Sequence, residues 1–170
     1  RIYLHKFSKI LCGKYRKYHF KGVLNVINRF LEIIRPNYLF LGFKDFQQLT
    51  LIKKHILKNK IHTKIIGCKT VRETNGVAFS SRNFNLNKNQ MKIAKNVYNY
   101  LVKIKKKTKK NFKLFNSLLL KKDLIKLGVD KIDYLEIINL KSLSRPRKSK
   151  ESFKIFIAYY LDKIRLIDNI

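Results

Sequence analysis

The stretch RPNYLFLGFKDFQQL, which runs from Arg35 to Leu49, indicates the fold more clearly than any other part of the sequence. Its segment Tyr38 to Leu41 is a short, continuous apolar run of residues that favour β-structure, as is typical of a buried strand. Gly42 ends this run, and a helical pattern of apolar residues then extends from about Lys44 to Lys58. The stretch therefore predicts a buried strand that turns directly into a helix.

The segments on either side of this stretch predict a parallel α/β sheet. Before it, the apolar residues of Gly22 to Ile34 recur at three- and four-residue spacing, which predicts an amphipathic helix that ends before Pro36. After it, Thr63 to Gly67 has the composition of a second short strand. Strands and helices that alternate in this order form parallel pairs, because a helix makes each crossover. The expected core faces are Val23, Val26, Ile27, Phe30 and Leu31 on the first helix, and Phe46, Leu49, Ile52 and Leu57 on the second.

The second half of the chain has a different organisation. Periodicity is lost between Lys69 and Asn87, so we place a domain boundary near Lys69, with one domain over residues 1–69 and another over 70–170. Asn87 and Gln90 have the spacing of a capping box, which predicts a helix from Lys88 to about Lys106. The remaining patterns predict an α+β arrangement: a helix over Phe115 to Leu127, strands over Ile132 to Ile138 and Phe153 to Tyr160, a loop over Lys141 to Ser152, and a turn at Asp162 and Lys163 into a strand over Ile164 to Ile167.

The large positive charge favours a polyanionic partner such as nucleic acid. The formal net charge is +30, from 40 Lys and Arg residues against 10 Asp and Glu residues. Lys far outnumbers Arg, however, and the abundance of Lys, Ile, Asn, Phe and Tyr is the bias expected of a very A+T-rich coding sequence. The densest basic segment, Lys103 to Lys110, lacks the Arg or interleaved aromatic residues of a nucleic-acid arm. We therefore interpret it as a solvated helix end and expect no specific nucleic-acid partner, while a basic nucleic-acid-binding protein remains the alternative function.

The cysteines and the hydropathy argue against several other classes. Cys12 and Cys68 lack CxxC spacing and have too few His or carboxylate neighbours for a metal site. We therefore expect no protein-bound metal and a reduced, cytoplasmic location. No apolar run approaches the roughly 20 residues that span a bilayer, so we expect no membrane association.

The segment GFKDFQQ, Gly42 to Gln48, is the first candidate for chemistry. It follows a strand and begins a helix, which is where open α/β sheets bind ligands. Lys44 and Asp45 lie four and three residues before Gln48. A cation, a carboxylate and an amide can therefore face one binding site at the start of the helix. Such a trio suits a phosphate, a ribose hydroxyl and a substrate hydroxyl. The alternative is ordinary helix capping, with Asp45 near the positive end of the helix dipole and Lys44 in solvent.

The segment AFSSRN, Ala78 to Asn83, is the second candidate. It places two hydroxyl groups and a guanidinium side by side, which suits a triphosphate whose charge grows during substitution. The alternative is a turn with local hydrogen bonds from side chain to backbone, which Ser and Asn often make in loops.

Taken in order, four segments resemble the pantothenate synthetases. They are YHFKGV at Tyr18 to Val23, RPNYLFLGFKDFQQL at Arg35 to Leu49, TVRETNGVAFSSRN at Thr70 to Asn83, and RLIDN at Arg165 to Asn169. The resemblance implies an α/β fold in which the C-terminal part of a Rossmann-like nucleotidylyl-transferase domain is followed by a smaller α+β lid domain. It also implies a homodimer.

The resemblance further implies an ATP-dependent ligase that condenses (R)-pantoate with β-alanine through a pantoyl adenylate, with Mg²⁺ carried by ATP. Lys44, Ser81 and Arg82 are then the catalytic residues that stabilise phosphate charge, and Gln48 binds pantoate. The implied ATP-binding residues are Gly42, Phe43, Lys44, Asp45, Val71, Phe79, Ser80, Ser81 and Arg82.

The sequence also departs from the family pattern. Phe43 replaces a Glu, Lys17 and Tyr18 replace a Pro-Gly pair before His19, and Asn85 replaces a Tyr. The HxGH-type motif and a second pantoate-binding glutamine, which belong to the first half of the family's enzymes, have no counterpart here. We therefore expect an N-terminal catalytic segment to be missing, so that the chain is a fragment of the ligase or, alternatively, an inactive remnant.

Overall fold

A computed structural model describes residues 1–147 and 151–170 of the chain. The described chain divides into two compact units, Arg1–Thr70 and Val71–Ile170. The first unit contains a 3₁₀ turn at Lys6–Lys9, helix α1 at Cys12–Tyr15, helix α2 at His19–Ile34, strand β1 at Tyr38–Gly42, a 3₁₀ turn at Phe43–Asp45, helix α3 at Phe46–Lys58 and strand β2 at Lys64–Cys68.

The parallel strand pair predicted from the order of elements is confirmed. Strand β1 pairs with β2 in parallel, with Tyr38 opposite Lys64 and Gly42 opposite Cys68. Helix α3 makes the crossover between them, as a parallel pair requires. Gly42 and Cys68 consequently lie together at the carboxyl edge of the sheet, which is where the first candidate segment begins.

The predicted core faces of α2 and α3 are only partly right. The buried cluster of this unit contains Leu24, Leu31 and Ile52, whereas Val26, Phe30 and Leu57 are exposed. The apolar residues of α2 span about half of its circumference, and the buried ones, Phe20, Leu24 and Leu31, lie at one edge of that arc, so spacing alone could not select them. Packing of α2 against the rest of the unit, including α3, selects them.

The second unit is built on a three-stranded antiparallel sheet. Its elements are a 3₁₀ turn at Ser81–Asn85, helix α4 at Lys88–Lys110, a 3₁₀ turn at Phe112–Leu114, helix α5 at Ser117–Lys126, and strands β3 at Lys131–Asn139, β4 at Phe153–Leu161 and β5 at Ile164–Asn169. The sheet order is β3-β4-β5. The predicted turn at Asp162 and Lys163 is confirmed, since Leu161 pairs with Ile164.

Helix α4 begins where the sequence predicted. Asn87 accepts a hydrogen bond from the Gln90 amide, and Gln90 accepts one from the Asn87 amide, so both halves of the capping box form. Its last two turns carry exposed Lys residues, while Thr108 among them is buried. Residues 148–150 of the predicted loop over 141–152 lie outside the described residues. Within the described ranges, every helix is too short or too polar to cross a bilayer.

Candidate functional site

The Gly42 to Gln48 segment lies where β1 ends and α3 begins. Phe43, Lys44 and Asp45 form the 3₁₀ turn between them, with Lys44 half-buried and Asp45 exposed. Asp45 occupies the N-cap position of α3, yet its side chain accepts no capping hydrogen bond from the described residues. As a helix cap, Asp45 therefore acts only through the favourable interaction of its carboxylate with the positive end of the helix dipole.

The ring of Phe43 covers the end of β2. A β-carbon built on Gly67 would lie 2.4 Å from Cζ of Phe43, which is far inside van der Waals contact. Gly67 therefore allows the Phe43 ring to lie directly on the backbone of β2. An apolar ring thus stands where the family resemblance implies a carboxylate.

The two adjacent glutamines of α3 have different surroundings. Gln47 is buried, its amide donates to the carbonyls of Phe7 and Ile10 at 2.7 Å each, and its Oε1 accepts from the Cys12 amide at 3.1 Å. These bonds satisfy the side chain and attach α3 to the first turns of the chain, so Gln47 has a structural role. Gln48, the residue predicted to bind substrate, instead lines a surface groove.

This groove has a volume of about 520 Å³ and lies between the start of α2 and the start of α3. Lys17, His19 and Gln48 supply its polar groups, and the remaining lining is mainly apolar, from Val23, Val26 and Ile27. His19 lies 2.9 Å from the guanidinium of Arg16, and Tyr18 has a left-handed backbone with φ of 59°. An apolar wall with a cation and an amide at its rim suits a small anion that has an aliphatic body.

In the second unit, residues 71–79 form a short hairpin. The Phe79 amide donates to the Val71 carbonyl at 2.9 Å, and Arg72 pairs with Ala78 in an isolated antiparallel β-bridge. Gly76 makes the turn, with φ of +91°. Val71 and Phe79 are 70% and 56% exposed, so two predicted ATP contacts present apolar side chains to solvent next to one another.

The Ser-Ser-Arg segment follows this hairpin directly. Ser80 Oγ accepts from the Arg82 amide at 3.3 Å, and the Asn83 side chain donates to the Ala78 carbonyl at 3.2 Å. Part of the segment is therefore the locally bonded turn of the alternative interpretation. Ser81 and Arg82 remain exposed, and the Arg82 guanidinium donates to the Arg165 carbonyl at 2.8 Å.

A paired arginine and aspartate in this unit were not singled out from the sequence. Arg72 binds Asp168 through two parallel hydrogen bonds of 2.7 and 3.0 Å. Burial alone would lower the pKa of Arg72, but the hydrogen bond and the charge of Asp168 raise it above its ordinary value. The two residues belong to the segments TVRETNGVAFSSRN and RLIDN, but nothing in their spacing predicted the contact.

The predicted site residues fall into two groups. Gly42, Phe43, Lys44, Asp45 and Gln48 lie in the first unit, at the carboxyl edge of the sheet and the start of α3. The other group, in the second unit, consists of Val71, Phe79, Ser80, Ser81 and Arg82. The described residues include no group of three His, Cys, Asp or Glu side chains that could hold a metal ion.

Comparison with known proteins relates the chain to one family. A family model described as pantoate-beta-alanine ligase matches residues 1–170. The chain is 37% identical over 161 residues to a pantothenate synthetase of Flavobacterium psychrophilum, covering 93% of this chain and 57% of the relative. It is 37% identical over 175 residues to a pantothenate synthetase of Clostridium botulinum strain Loch Maree, covering 99% of this chain and 62% of the relative. The chain thus spans a little over half the length of these relatives.

Solved structures agree with the sequence comparison. The pantoate-beta-alanine ligase of Francisella tularensis, described as complexed with beta-gamma ATP and beta-alanine, superposes with a TM-score of 0.77 at 36% identity, over 98% of this chain and 55% of that chain. A pantothenate synthetase of Thermus thermophilus superposes with a TM-score of 0.88 at 25% identity, over 100% of this chain and 62% of that chain. These similarities confirm the predicted fold class, with a parallel α/β part followed by an α+β part that contains an antiparallel sheet.

Proposed function

The chain belongs to the pantoate–β-alanine ligase family, and we propose that the protein carrying it condenses (R)-pantoate with β-alanine to pantothenate in a reaction driven by ATP. The observation that carries this proposal is the family match over residues 1–170. It is supported by a relative of the same fold whose structure is described with ATP and β-alanine.

In the proposed reaction, a carboxylate oxygen of pantoate attacks the α-phosphorus of ATP, and pyrophosphate leaves. The product is a pantoyl adenylate. The amine of β-alanine then attacks the acyl carbon, loses a proton and displaces AMP. No side chain needs to form a covalent bond, so the protein contributes by positioning the reactants and by stabilising charge on the phosphates.

We propose that the first unit binds ATP through residues Gly42 to Asp45. Lys44 is the cation of this segment, and its half-buried position at the carboxyl edge of the sheet makes its charge more effective than it would be in water. The start of α3 adds the positive end of a helix dipole. Phe43 offers an apolar surface in place of the family's carboxylate.

We propose that the second unit contributes ATP-binding residues of its own, Val71, Phe79, Ser80, Ser81 and Arg82. The exposed apolar side chains of Val71 and Phe79 suit a base or sugar face, and the exposed Ser81 hydroxyl and Arg82 guanidinium suit phosphate oxygens. On binding, Arg82 would exchange its bond to the Arg165 carbonyl for a charge-assisted bond to phosphate. Mg²⁺ would arrive with ATP as part of the substrate.

Pantoate is proposed to bind in the groove beside Gln48. The apolar lining from Val23 and Ile27 suits the methyl groups of pantoate, and the Gln48 amide can bond to its hydroxyl or carboxylate. Following the family resemblance, we also propose a homodimer and a cytoplasmic location.

A test of the proposed function is the formation of AMP by the purified protein. AMP should appear only when ATP, pantoate and β-alanine are all present, and ATP and pantoate together should release pyrophosphate. Adenylation without any dependence on pantoate would contradict the proposal.

The net charge of +30 supports a second candidate, a protein that binds nucleic acid through its Lys-rich surface. Saturable RNA retention that persists at high salt, together with no effect of ATP on thermal unfolding, would favour this candidate over the ligase.

A further inference from the structure

We propose that Arg72 is a positioning residue for ATP: through its ion pair with Asp168 it fixes the hairpin of residues 71–79, whose two ends carry the ATP contacts Val71 and Phe79. This inference rests on the proposed function, because it assigns a role to a residue outside the predicted contact set. It concerns the second unit alone.

The guanidinium of Arg72 joins the hairpin to the end of β5. One terminal nitrogen donates to Asp168 at 2.7 Å and to the Gly76 carbonyl at 3.0 Å. The other donates to Asp168 at 3.0 Å and, more weakly, to the Asn169 carbonyl at 3.4 Å. The guanidinium carbon lies 4.7 Å from the ring centroid of Tyr98 on α4, which adds a cation–π contact. Only a planar fork can reach all these acceptors at once, so Lys is not an equivalent residue here.

The hairpin is held by the buried side chain of Val77, by the Asn83 side chain, which donates to Glu73 and to the Ala78 carbonyl, and by Arg72, which bonds it to the end of β5. It has one isolated bridge, between Arg72 and Ala78, and a hairpin of two strands is at best marginally stable in water. Its turn is fixed at Gly76, where a β-carbon would lie 2.2 Å from the Tyr98 ring. The same two residues of α4 and β5, Tyr98 and Asp168, therefore determine the position of the turn and of the Arg72 side chain.

Side chains of the hairpin alternate between its two faces, so the position of Arg72 also determines where Val71 and Phe79 point. Arg72 and Ala78 are bridge partners, and Ala78 is 6% exposed, whereas the next residue, Phe79, is 56% exposed. Val71 precedes Arg72 and accepts the hydrogen bond from the Phe79 amide. Holding Arg72 inward consequently presents Val71 and Phe79 outward, side by side.

The ion pair is better suited to orientation than to stability. The side chains of Arg72 and Asp168 are 21% and 11% exposed, so the cost of desolvating the two charges offsets much of their attraction. The two parallel hydrogen bonds to Asp168 still fix the direction of the Arg72 side chain, and with it the geometry of the hairpin. A second pair in this unit, Arg165 with Asp133 at 2.8 Å, has similar burial but bonds β5 to β3, which makes it a matched control.

The test compares Arg72→Lys, Asp168→Asn and the control Asp133→Asn in the full protein. For each variant we would measure the dissociation constant for ATP, the KM values for ATP and pantoate, the thermal unfolding midpoint, and amide hydrogen exchange at Glu73, Gly76 and Phe79. Arg72→Lys and Asp168→Asn should raise the dissociation constant and the KM for ATP roughly 10-fold, the lower end of the range known for residues that orient metal ligands through hydrogen bonds. Exchange at the three hairpin amides should rise as well, while the KM for pantoate and exchange in β3 and β4 stay unchanged.

Asp133→Asn should lower the unfolding midpoint without weakening ATP binding. If Arg72→Lys and Asp168→Asn bind ATP as the unsubstituted protein does, or if Asp133→Asn weakens binding by the same factor, the positioning role is wrong. A failure of the proposed function would look different, because the unsubstituted protein itself would then not bind ATP.

Discussion

The ring of Phe43 lies so close to Gly67 that a β-carbon on the glycine would approach Cζ of the ring to 2.4 Å. The contact joins the turn after β1 to the last residues of β2, at the carboxyl edge of the parallel pair. It also shows how this chain accommodates an aromatic ring at a position where the family resemblance implies a Glu.

Replacing Gly67 by Ala should destabilise the protein by about 1–3 kcal/mol, because the added methyl group forces the Phe43 ring from its position. Urea denaturation would measure the change. Gly42→Ala is the matched control, since a β-carbon at Gly42 meets nothing within 4 Å. The double variant Gly67→Ala, Phe43→Ala should recover part of the loss, and equal losses in the single and double variants would contradict the steric explanation.

Replacing Tyr18 by Gly should stabilise the protein by about 1 kcal/mol, because a left-handed backbone is strained for every residue with a β-carbon. Tyr18 has φ of 59° directly before α2 and is 73% exposed, so little packing is lost. The family resemblance implies a Gly at this position, and a Gly would not carry this strain. Tyr15→Gly, within α1, serves as the control and should destabilise. A Tyr18→Gly variant that melts below the unsubstituted protein would show that the strain is relieved elsewhere.

Replacing Lys44 or Arg82 by Ala should slow adenylation about 10²-fold or more, equivalent to roughly 3 kcal/mol, as when one donor to a developing oxyanion is removed. Pantoate-dependent release of pyrophosphate measures this step. Lys53→Ala is the control, since Lys53 is an exposed lysine on the same helix α3. Unchanged release by both variants would contradict the assignment of these two residues to the triphosphate.

The stability of the protein should fall as the pH decreases below about 6.5, because of His55. This side chain is fully buried, its Nδ1 lies 3.1 Å from the Tyr3 amide that donates to it, and its Nε2 faces Asn28 Oδ1 at 2.9 Å. Burial lowers its pKa from the ordinary 6.5, so the folded protein keeps His55 neutral while the unfolded chain takes up a proton. The contribution is therefore complete above pH 6.5 and is lost progressively as the pH falls from that value toward the lowered pKa of the folded protein, with a slope of at most about 1.4 kcal/mol per pH unit.

Denaturation curves between about pH 5 and pH 8 would measure this slope. His55→Gln should reduce it. His5 has a lowered pKa from burial and from nearby Lys54 and Lys6, so it adds a contribution of the same sign. An identical slope in His55→Gln and the unsubstituted protein would remove His55 from the explanation.

Much of the fold was predictable because its signals are local. The capping box of Asn87 and Gln90, the turn at Asp162 and Lys163, and the order of strands and helices each depend on residues close in sequence. The buried face of α2 was not predictable in this way. Its apolar face is wider than its contact with the rest of the unit, which buries Leu24 and Leu31 at one edge of that face while Val26 and Phe30, toward the other edge, stay exposed.

The candidate site, too, was predictable only in part from the sequence. The ordered motifs of the sequence identified Lys44, Gln48 and Arg82 as candidates, and their roles remain proposals to be tested. Spacing could not tell that Gln47 attaches α3 to the chain's first turns while its neighbour Gln48 lines the groove. Successive residues of a helix point in different directions, so the surrounding elements decide which amide is buried.

The sequence by itself therefore determined the order of the elements, the ends of several of them, and the family to which the chain belongs. Those properties are carried by short patterns, in which each residue acts on neighbours a few positions away. Only the tertiary structure decided that Arg72 meets Asp168 across 96 positions of the chain, and that Phe43 lies on Gly67. Contacts of this kind exist only once strands and helices have packed, because packing brings together side chains that the sequence keeps far apart.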